Sequence, residues 1–253
     1  MSTTEQSLQS KTAVLCSFYT KIGSCRHGEE CSKKHLKPTI TKTILLPNLY
    51  QNPRFDLVEY LSRNRKQHRV KKRKTGDKNS YDIAEINFET KDGVKDNEEK
   101  ANVDGENKEH DETKEIESED IQKDFDLFYQ DIFVHVAKLG QINDMAVCEN
   151  ENHLSGHVYI KFNDYNDAIA ANLQLNQEWY NGKPVYSELS PVNILADAHC
   201  KSWDHGHCDR GAKCNYLHVK QPTQGIKKSL WDSQTKTYTL KKLEMLKKEV
   251  QKK

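Results

Sequence analysis

The sequence predicts an α+β protein: one domain of β-α-β-β-α-β order, set between two short modules organised by metal. Three observations predict it. Cysteine and histidine recur in one pattern near both ends of the chain. Between those ends, apolar residues follow strand period and helix period in that order. The composition is polar as well: of 253 residues, 30% are charged and only 35% hydrophobic. Such a chain cannot fold as one uniform globule, so part of it is expected to stay solvated.

The first module spans residues 11–40. In "CSFYTKIGSCRHGEECSKKH", residues 16–35, eight, five and three residues separate Cys16, Cys25, Cys31 and His35. The other module spans 195–222. There "CKSWDHGHCDRGAKCNYLH" separates Cys200, Cys208, Cys214 and His218 by seven, five and three. Six of the seven cysteines belong to these sets, and Cys148 is left over. Zinc takes four ligands in a tetrahedron, and three thiolates with one imidazole fill it. No position stays open for water, so each site is structural. Each segment has few side chains to bury, and metal binding supplies the folding energy a core would otherwise give. Two structural zinc ions are expected. The thiols are expected to be reduced. The start, "MSTTEQSLQSK", has no signal-peptide core, and no apolar run reaches the roughly 18 residues of a membrane span. An odd count of cysteines also argues against a disulfide framework.

Aromatic and cationic residues interleave with the ligands. The first module offers Phe18, Tyr19, Arg26, Lys33 and Lys34; the second offers Lys201, Trp203, Arg210 and Tyr216. Bases stack on rings and guanidinium planes while cations meet phosphate, so the set points to single-stranded RNA. A second reading stands beside it, in which one aromatic per module packs on the metal site.

Residues 41–194 form the central domain. "TILLPNLY", 43–50, reads as a strand that Pro47 ends or bulges. In 121–139, Phe125, Phe128, Tyr129, Ile132, Phe133, Val136 and Leu139 recur at helical spacing. "INDMAVCE" and "SGHVYIKF" read as strands. "NDYNDAIAANLQLN" reads as a helix capped by Asn163 or Asp164, "NGKP" as a turn, and "VYSELS" as a last short strand. This order is the ferredoxin-like split βαβ of an RNA recognition motif. Its usual base-stacking positions are poor here: His157 stands where an exposed aromatic is expected, and Leu45 occupies the first strand. Trp179 and Tyr180 precede the Asn-Gly turn, and at least one of them should project as an interface anchor.

Between the first strand and first helix lies a charged insertion, about 62–120. Residues 63–78 carry nine cations and one aspartate, and 85–120 carry fifteen acids and five lysines. Blocks of this kind are expected to be disordered; the basic one reads either as a solvated linker neutralised by its acidic neighbour or as a nuclear signal or phosphate contact. Residues 223–253 are expected to form a basic helix with Leu243, Leu246 and Val250 along one side. No carboxylate pair, nucleophile–base set or phosphate loop suggests an enzyme.

The order of modules, with "CSFYTKIGSCRHGEECSKKH", "NLYQNP", "GHVYIKF", "WYNGKPVYSELSPV" and "CNYLH", resembles the small subunit of the U2 snRNP auxiliary factor, a nuclear pre-mRNA splicing factor. The resemblance covers roughly two-thirds of the chain. It implies that the fingers read the AG at the 3′ end of introns, with Ser17, Phe18, Tyr19 and Arg26 matching positions of the first finger and Trp203 an aromatic of the second. It also implies that the central domain holds a tryptophan-bearing peptide of the large subunit through its first helix and an Arg-x-Phe loop. Trp179 fits that loop. Tyr180 replaces the phenylalanine, and Glu178 replaces the arginine, which reverses its charge. Asp126 and Asp131 supply the acidic helix face. The family's Arg/Ser-rich tail has no counterpart here. Two other readings remain beside this one: a zinc-finger protein of mRNA turnover or export, and a zinc-structured protein adaptor.

Overall fold

The computed structural model describes residues 14–55 and 107–251, with side chains at 14–54 and 119–251. The basic block and most of the acidic block of the insertion lie outside the described residues. Residues 14–52 and 122–251 form one compact body. The described parts of 53–121 are a 3-10 turn, Pro53–Phe55, and the N-terminal stretch of a long helix.

The chain starts with helix α1 (Ser17–Ile22) and strand β1 (Thr43–Leu46). β1 ends before Pro47, which has no N–H to give a ladder, and Asn48 follows at φ 53. Helix α2 runs Asn107–Leu139, and strands β2 (Ile142–Cys148) and β3 (Val158–Phe162) come next. Helix α3 (Tyr165–Leu175) is capped by Asp164, whose carboxylate accepts from the Asn166 N–H at 2.7 Å. A hairpin of β4 (Trp179–Tyr180) and β5 (Lys183–Pro184) turns through Asn181 and Gly182 at positive φ, the backbone that a two-residue hairpin loop requires. Strand β6 (Glu188–Leu189) and the short helices α4 (Leu195–Ala198) and α5 (Lys201–Asp204) lead into β7 (Val219–Lys220) and the long helix α6 (Gln224–Gln251).

The main sheet is antiparallel throughout, in the order β6-β1-β3-β2-β7. Alternation along the strands divides its side chains. Ile44, Leu46, Met145, Val147, Ile160 and Phe162 face α2 and α3, where Phe125, Tyr129, Phe133, Ala168 and Leu175 complete one core. Leu45, Ala146, Cys148 and Tyr159 face the other way. They are covered by Ile22, Leu195, Ala198 and Leu217, which belong to the two metal modules and the chain leading into the second. Tyr159 is fully buried there and donates its hydroxyl to the Ile22 carbonyl at 2.7 Å. Gly156, just before β3, has φ 67, and a Cβ there would lie 2.1 Å from the Tyr50 carbonyl oxygen. Only glycine fits that approach.

Two expectations need correction. Helix α2 begins at Asn107, within the stretch expected to be disordered, and not at 121. Charge prevents burial but not helix formation: glutamate and lysine are strong helix formers, and neither glycine nor proline interrupts 106–139. The sheet also has a fifth strand, β7, immediately after the last zinc ligand. The expected C-terminal helix is present as α6, and its packed part is the N-terminal half. Trp231 meets Phe133 edge-on at 5.0 Å, and the Tyr238 hydroxyl donates to the Ala137 carbonyl. Leu243, Leu246 and Val250 are exposed.

Gln234 is the polar anchor of that packing. It is buried, accepts from the Ile142 N–H and donates to the Ile142 carbonyl, both at 2.9 Å. This satisfies the backbone at the irregular start of β2. Gln234→Ala is expected to cost about 1–3 kcal/mol, since two buried backbone groups lose their partner. Urea unfolding of the two proteins checks this, and an unchanged midpoint would contradict the anchor.

Candidate metal centres and the surface they organise

Each finger folds by the same local steps. The residue before the first cysteine makes a parallel bridge with the residue before the histidine: Leu15 with Lys34, and His199 with Leu217. The Cys16 N–H donates to the Lys34 carbonyl at 3.0 Å, and the Cys200 N–H to the Leu217 carbonyl at 2.9 Å. A short helix follows the first cysteine, six residues in α1 and four in α5. The finger with the shorter first spacing thus has the shorter helix. A 3-10 turn then brings the third cysteine in, Gly28–Glu30 in one finger and Gly211–Lys213 in the other.

These steps converge the ligands. The donor atoms of Cys16, Cys25, Cys31 and His35 lie within 4.8 Å of one another, and so do those of Cys200, Cys208, Cys214 and His218. The sulfurs of Cys25 and Cys31 are 3.8 Å apart, and those of Cys200 and Cys208 are 3.6 Å apart. His35 Nε2 and His218 Nε2 are buried without a hydrogen-bond partner. A metal ion supplies the missing partner, and three soft sulfurs with one imidazole fit zinc. The two sites bind two structural zinc ions.

The ligand thiols are shifted in both directions: burial raises Cys25 and pushes Cys214 up to about 11, while Cys208 and Cys16 are lowered. Burial raises the Cys208 thiol. Hydrogen bonds from the Arg210 side chain and backbone outweigh it, with help from Cys200 and His218, and bring it down to about 6. Burial likewise raises Cys16, yet the Tyr19 N–H and then His35, Cys25 and Cys31 bring it down to about 7. Cys148 is the opposite case. Full burial, with Glu149 nearby, pushes its thiol far up and leaves it an inert core residue.

The expected RNA residues divide into two groups. Tyr19 is buried and lies on the His35 ring at 4.5 Å, 7° from parallel. Trp203 lies on His218 at 4.3 Å and 2°. Both stand three residues after the first cysteine and serve as the lid of a metal site, so the packing alternative describes these two. Arg26, also expected at RNA, spans to the other finger: Nε donates to Asn215 Oδ1 at 2.8 Å and Nη2 to the Lys213 carbonyl at 2.7 Å. Ser17, Phe18, Lys33, Lys34, Lys201 and Arg210 are exposed. The Arg210 guanidinium sits 5.5 Å from the centre of the half-buried Tyr216 ring. Arg210 and Tyr216 line a cleft of about 560 Å³, with Thr20 and Lys21 of the first finger on its other side.

Sequence reasoning missed the residues that set the second finger on the sheet. Asn150 donates to the Tyr216 carbonyl and accepts from the His218 N–H, while Asn152 donates to the carbonyls of Ala212 and Cys214. Asparagines between two strands read as ordinary loop residues, so no signal marked them. His157, expected at a stacking position, is buried. Burial pushes its imidazole down to about 4, the hydrogen bond with the Ser155 carbonyl opposing, so it stays neutral near pH 7.

A second feature lies on the helix-bearing side. Leu46, Leu49, Val136, Leu175 and Val185 line a groove of about 380 Å³ between α2 and the β4–β5 hairpin. Trp179 stands at its rim and is 71% exposed, while Tyr180 packs edge-on against Phe128 at 5.8 Å. Glu178 is tied to His135 at 2.6 Å and accepts from Gln174 at 3.0 Å. Asp131 is exposed on the same groove. Asp126 is not part of an acidic face. It is buried, accepts from Gln122 and from the Thr223 N–H and hydroxyl, and so holds the start of α6.

Comparison with known proteins agrees with this geometry. Residues 11–37 match the family described as "Zinc finger C-x8-C-x5-C-x3-H type (and similar)". The chain is 34% identical to "Splicing factor U2AF 23 kDa subunit" of Schizosaccharomyces pombe, over 93% of this chain and 85% of that protein. The chain belongs to the family of U2AF small subunits. The human "Splicing factor U2AF 26 kDa subunit" is 33% identical over 87% of this chain and 79% of its own length. A further relative, "Transcriptional regulator of yeast form adherence 2" of Candida albicans, is 42% identical over 94% of this chain and 86% of its own length. Among the described residues, no helix is long and apolar enough to cross a membrane.

Metal analysis of the purified chain is expected to find two zinc ions per molecule, and one in His218→Ala. Chelation is expected to lower helix content in circular dichroism, because about 10–16 kcal/mol of binding energy leaves with each structural ion. A zinc content clearly below two contradicts the paired sites.

Proposed function

We propose that this U2AF small-subunit relative is a nuclear, non-enzymatic splicing-factor subunit. Its two zinc fingers bind single-stranded pre-mRNA at the AG of the 3′ splice site, and its central domain is an RNA recognition motif turned to protein binding. The observation that carries this reading is the use of the sheet. The face on which such a domain would stack bases is filled by the fingers, through Ile22, Leu195, Ala198 and Leu217. RNA therefore has to meet the fingers themselves. The exposed Phe18, Lys33, Lys34, Lys201 and Arg210 are positioned to serve it, and Arg26 holds the two fingers as one surface.

The partner is the large subunit of the auxiliary factor, and it docks by a short peptide in the groove between α2 and the β4–β5 hairpin. The floor of that groove is apolar and wide enough for an aromatic side chain, with Trp179 free to enter the partner in return. Its rim carries Asp131 and Glu178 and favours a peptide with a cation there. In this chain Glu178, paired with His135 of α2, stands where the family resemblance placed an arginine.

Changing AG to CG in a single-stranded oligonucleotide is expected to weaken binding to the zinc-loaded protein at least tenfold, about 1.4 kcal/mol. Equal affinity for the two removes splice-site reading, and preference for duplex DNA would favour the role that the Candida relative's name describes. Trp179→Ala is expected to weaken capture of the large subunit by at least tenfold with zinc content unchanged, since a truncated interface anchor costs about 2 kcal/mol or more.

A further inference from the structure

The cleft between the fingers continues beyond them. Asn193 and Ile194 line its edge, and the same two residues line a second cleft of about 400 Å³ over the sheet end. The second cleft belongs to the central domain and not to the zinc fingers. Its distinctive residues are Lys42, just before β1, Lys161 on β3, and Tyr165 at the start of α3.

Their arrangement has the parts of a nucleotide site. The Lys42 ammonium stands 4.8 Å from the centre of the Tyr165 ring, and Tyr165 is still 49% exposed. The ring is thus held by a cation and keeps open surface for a base. Lys161 Nζ donates to the Asn193 carbonyl at 2.6 Å, which fixes its charge where the two clefts join. An ammonium has three donors, and two remain for phosphate. Asn143 and Asn163 bond each other at 3.0 Å at the exposed side of this cleft, offering amide groups to base edges. Thr43 also lines it; the residue is wholly buried, and its Oγ1 has no hydrogen-bond partner.

Resting on the reading of the fingers as RNA modules, we infer that bound RNA runs out of the cleft between the fingers, past Asn193 and Ile194, into this second cleft, where Tyr165 stacks a flanking base and Lys42 and Lys161 meet the adjoining phosphates. The outer sheet face that the fingers close to bases is therefore replaced as a platform by its uncovered end. Duplex nucleic acid is disfavoured, because its bases are already stacked on each other.

The test compares two single-stranded oligonucleotides sharing one AG, one of about five nucleotides and one of about twelve, bound by the full zinc-loaded chain. Wild type is expected to bind the longer one more tightly. A Lys42→Ala, Tyr165→Ala variant is expected to lose about tenfold on the longer RNA and nothing on the shorter. Lys161→Ala is expected to lower the slope of log affinity against log salt by about 0.7 on the longer RNA only. All three side chains are at least partly exposed, and zinc content and circular dichroism verify the fold of each variant. If wild type and the double variant bind the longer RNA equally, the track is wrong while the fingers remain RNA modules. If wild type binds neither RNA, the reading of the fingers fails and the track with it.

Discussion

Metal coordination is the constraint on which the rest of this structure depends. Neither finger segment has enough apolar side chains to offset the ordering of its backbone, which costs about 1–2 kcal/mol per residue. Four ligands drawn onto one ion replace that missing core. Once the ion fixes the local chain, its few apolar residues can be presented in one direction. Ile22 at the end of the first short helix and Leu217 beside the last histidine use that opportunity, and both pack on the sheet. The stacked pairs Tyr19–His35 and Trp203–His218 then protect the ligands from water.

The fingers in turn decide what the sheet can do. A four- or five-stranded sheet has two faces to bury, and here α2 and α3 take one and the zinc modules the other. Leu45 and His157, poor residues for stacking bases, are therefore good residues for an interior. Tyr159 illustrates the exchange: an aromatic in the middle of a strand, it spends its hydroxyl on a finger carbonyl. The open clefts lie at the margins, between the fingers, at the end of the sheet and beside Trp179. The C-terminal helix contributes to the same division. Its first half closes the edge of α2 and β2 through Trp231 and Gln234, with Asp126 of α2 holding Thr223 at its start, while its last turns carry Leu243, Leu246 and Val250 outward.

The elements that were legible in the sequence are those with a strong local period or a fixed chemical spacing. The eight zinc ligands follow from residue type and interval alone. Helix α2 from 121 onward follows from Phe125 to Val136, and the break after Leu46 from the missing amide of Pro47. The start of α2 at Asn107 is not legible, because dense charge without apolar period reads as disorder, whereas helix propensity does not depend on burial. Strand β7 was not legible either, since two residues after a ligand histidine have no period to detect. Asp126 looked like an exposed acid because its partner, Thr223, is distant in sequence.

The sequence by itself thus determined the metal chemistry, the order of the main helices and strands of the central domain, and the family, because ligand identity, spacing and apolar period are local properties. The tertiary structure alone decided which cations and aromatics remain available. Tyr19 and Trp203 went to the metal sites, Arg26 to the opposite finger, and Lys42 and Tyr165 to an open cleft. Those allocations depend on side chains far apart in the chain competing for the same neighbours, and no local pattern records the outcome of that competition.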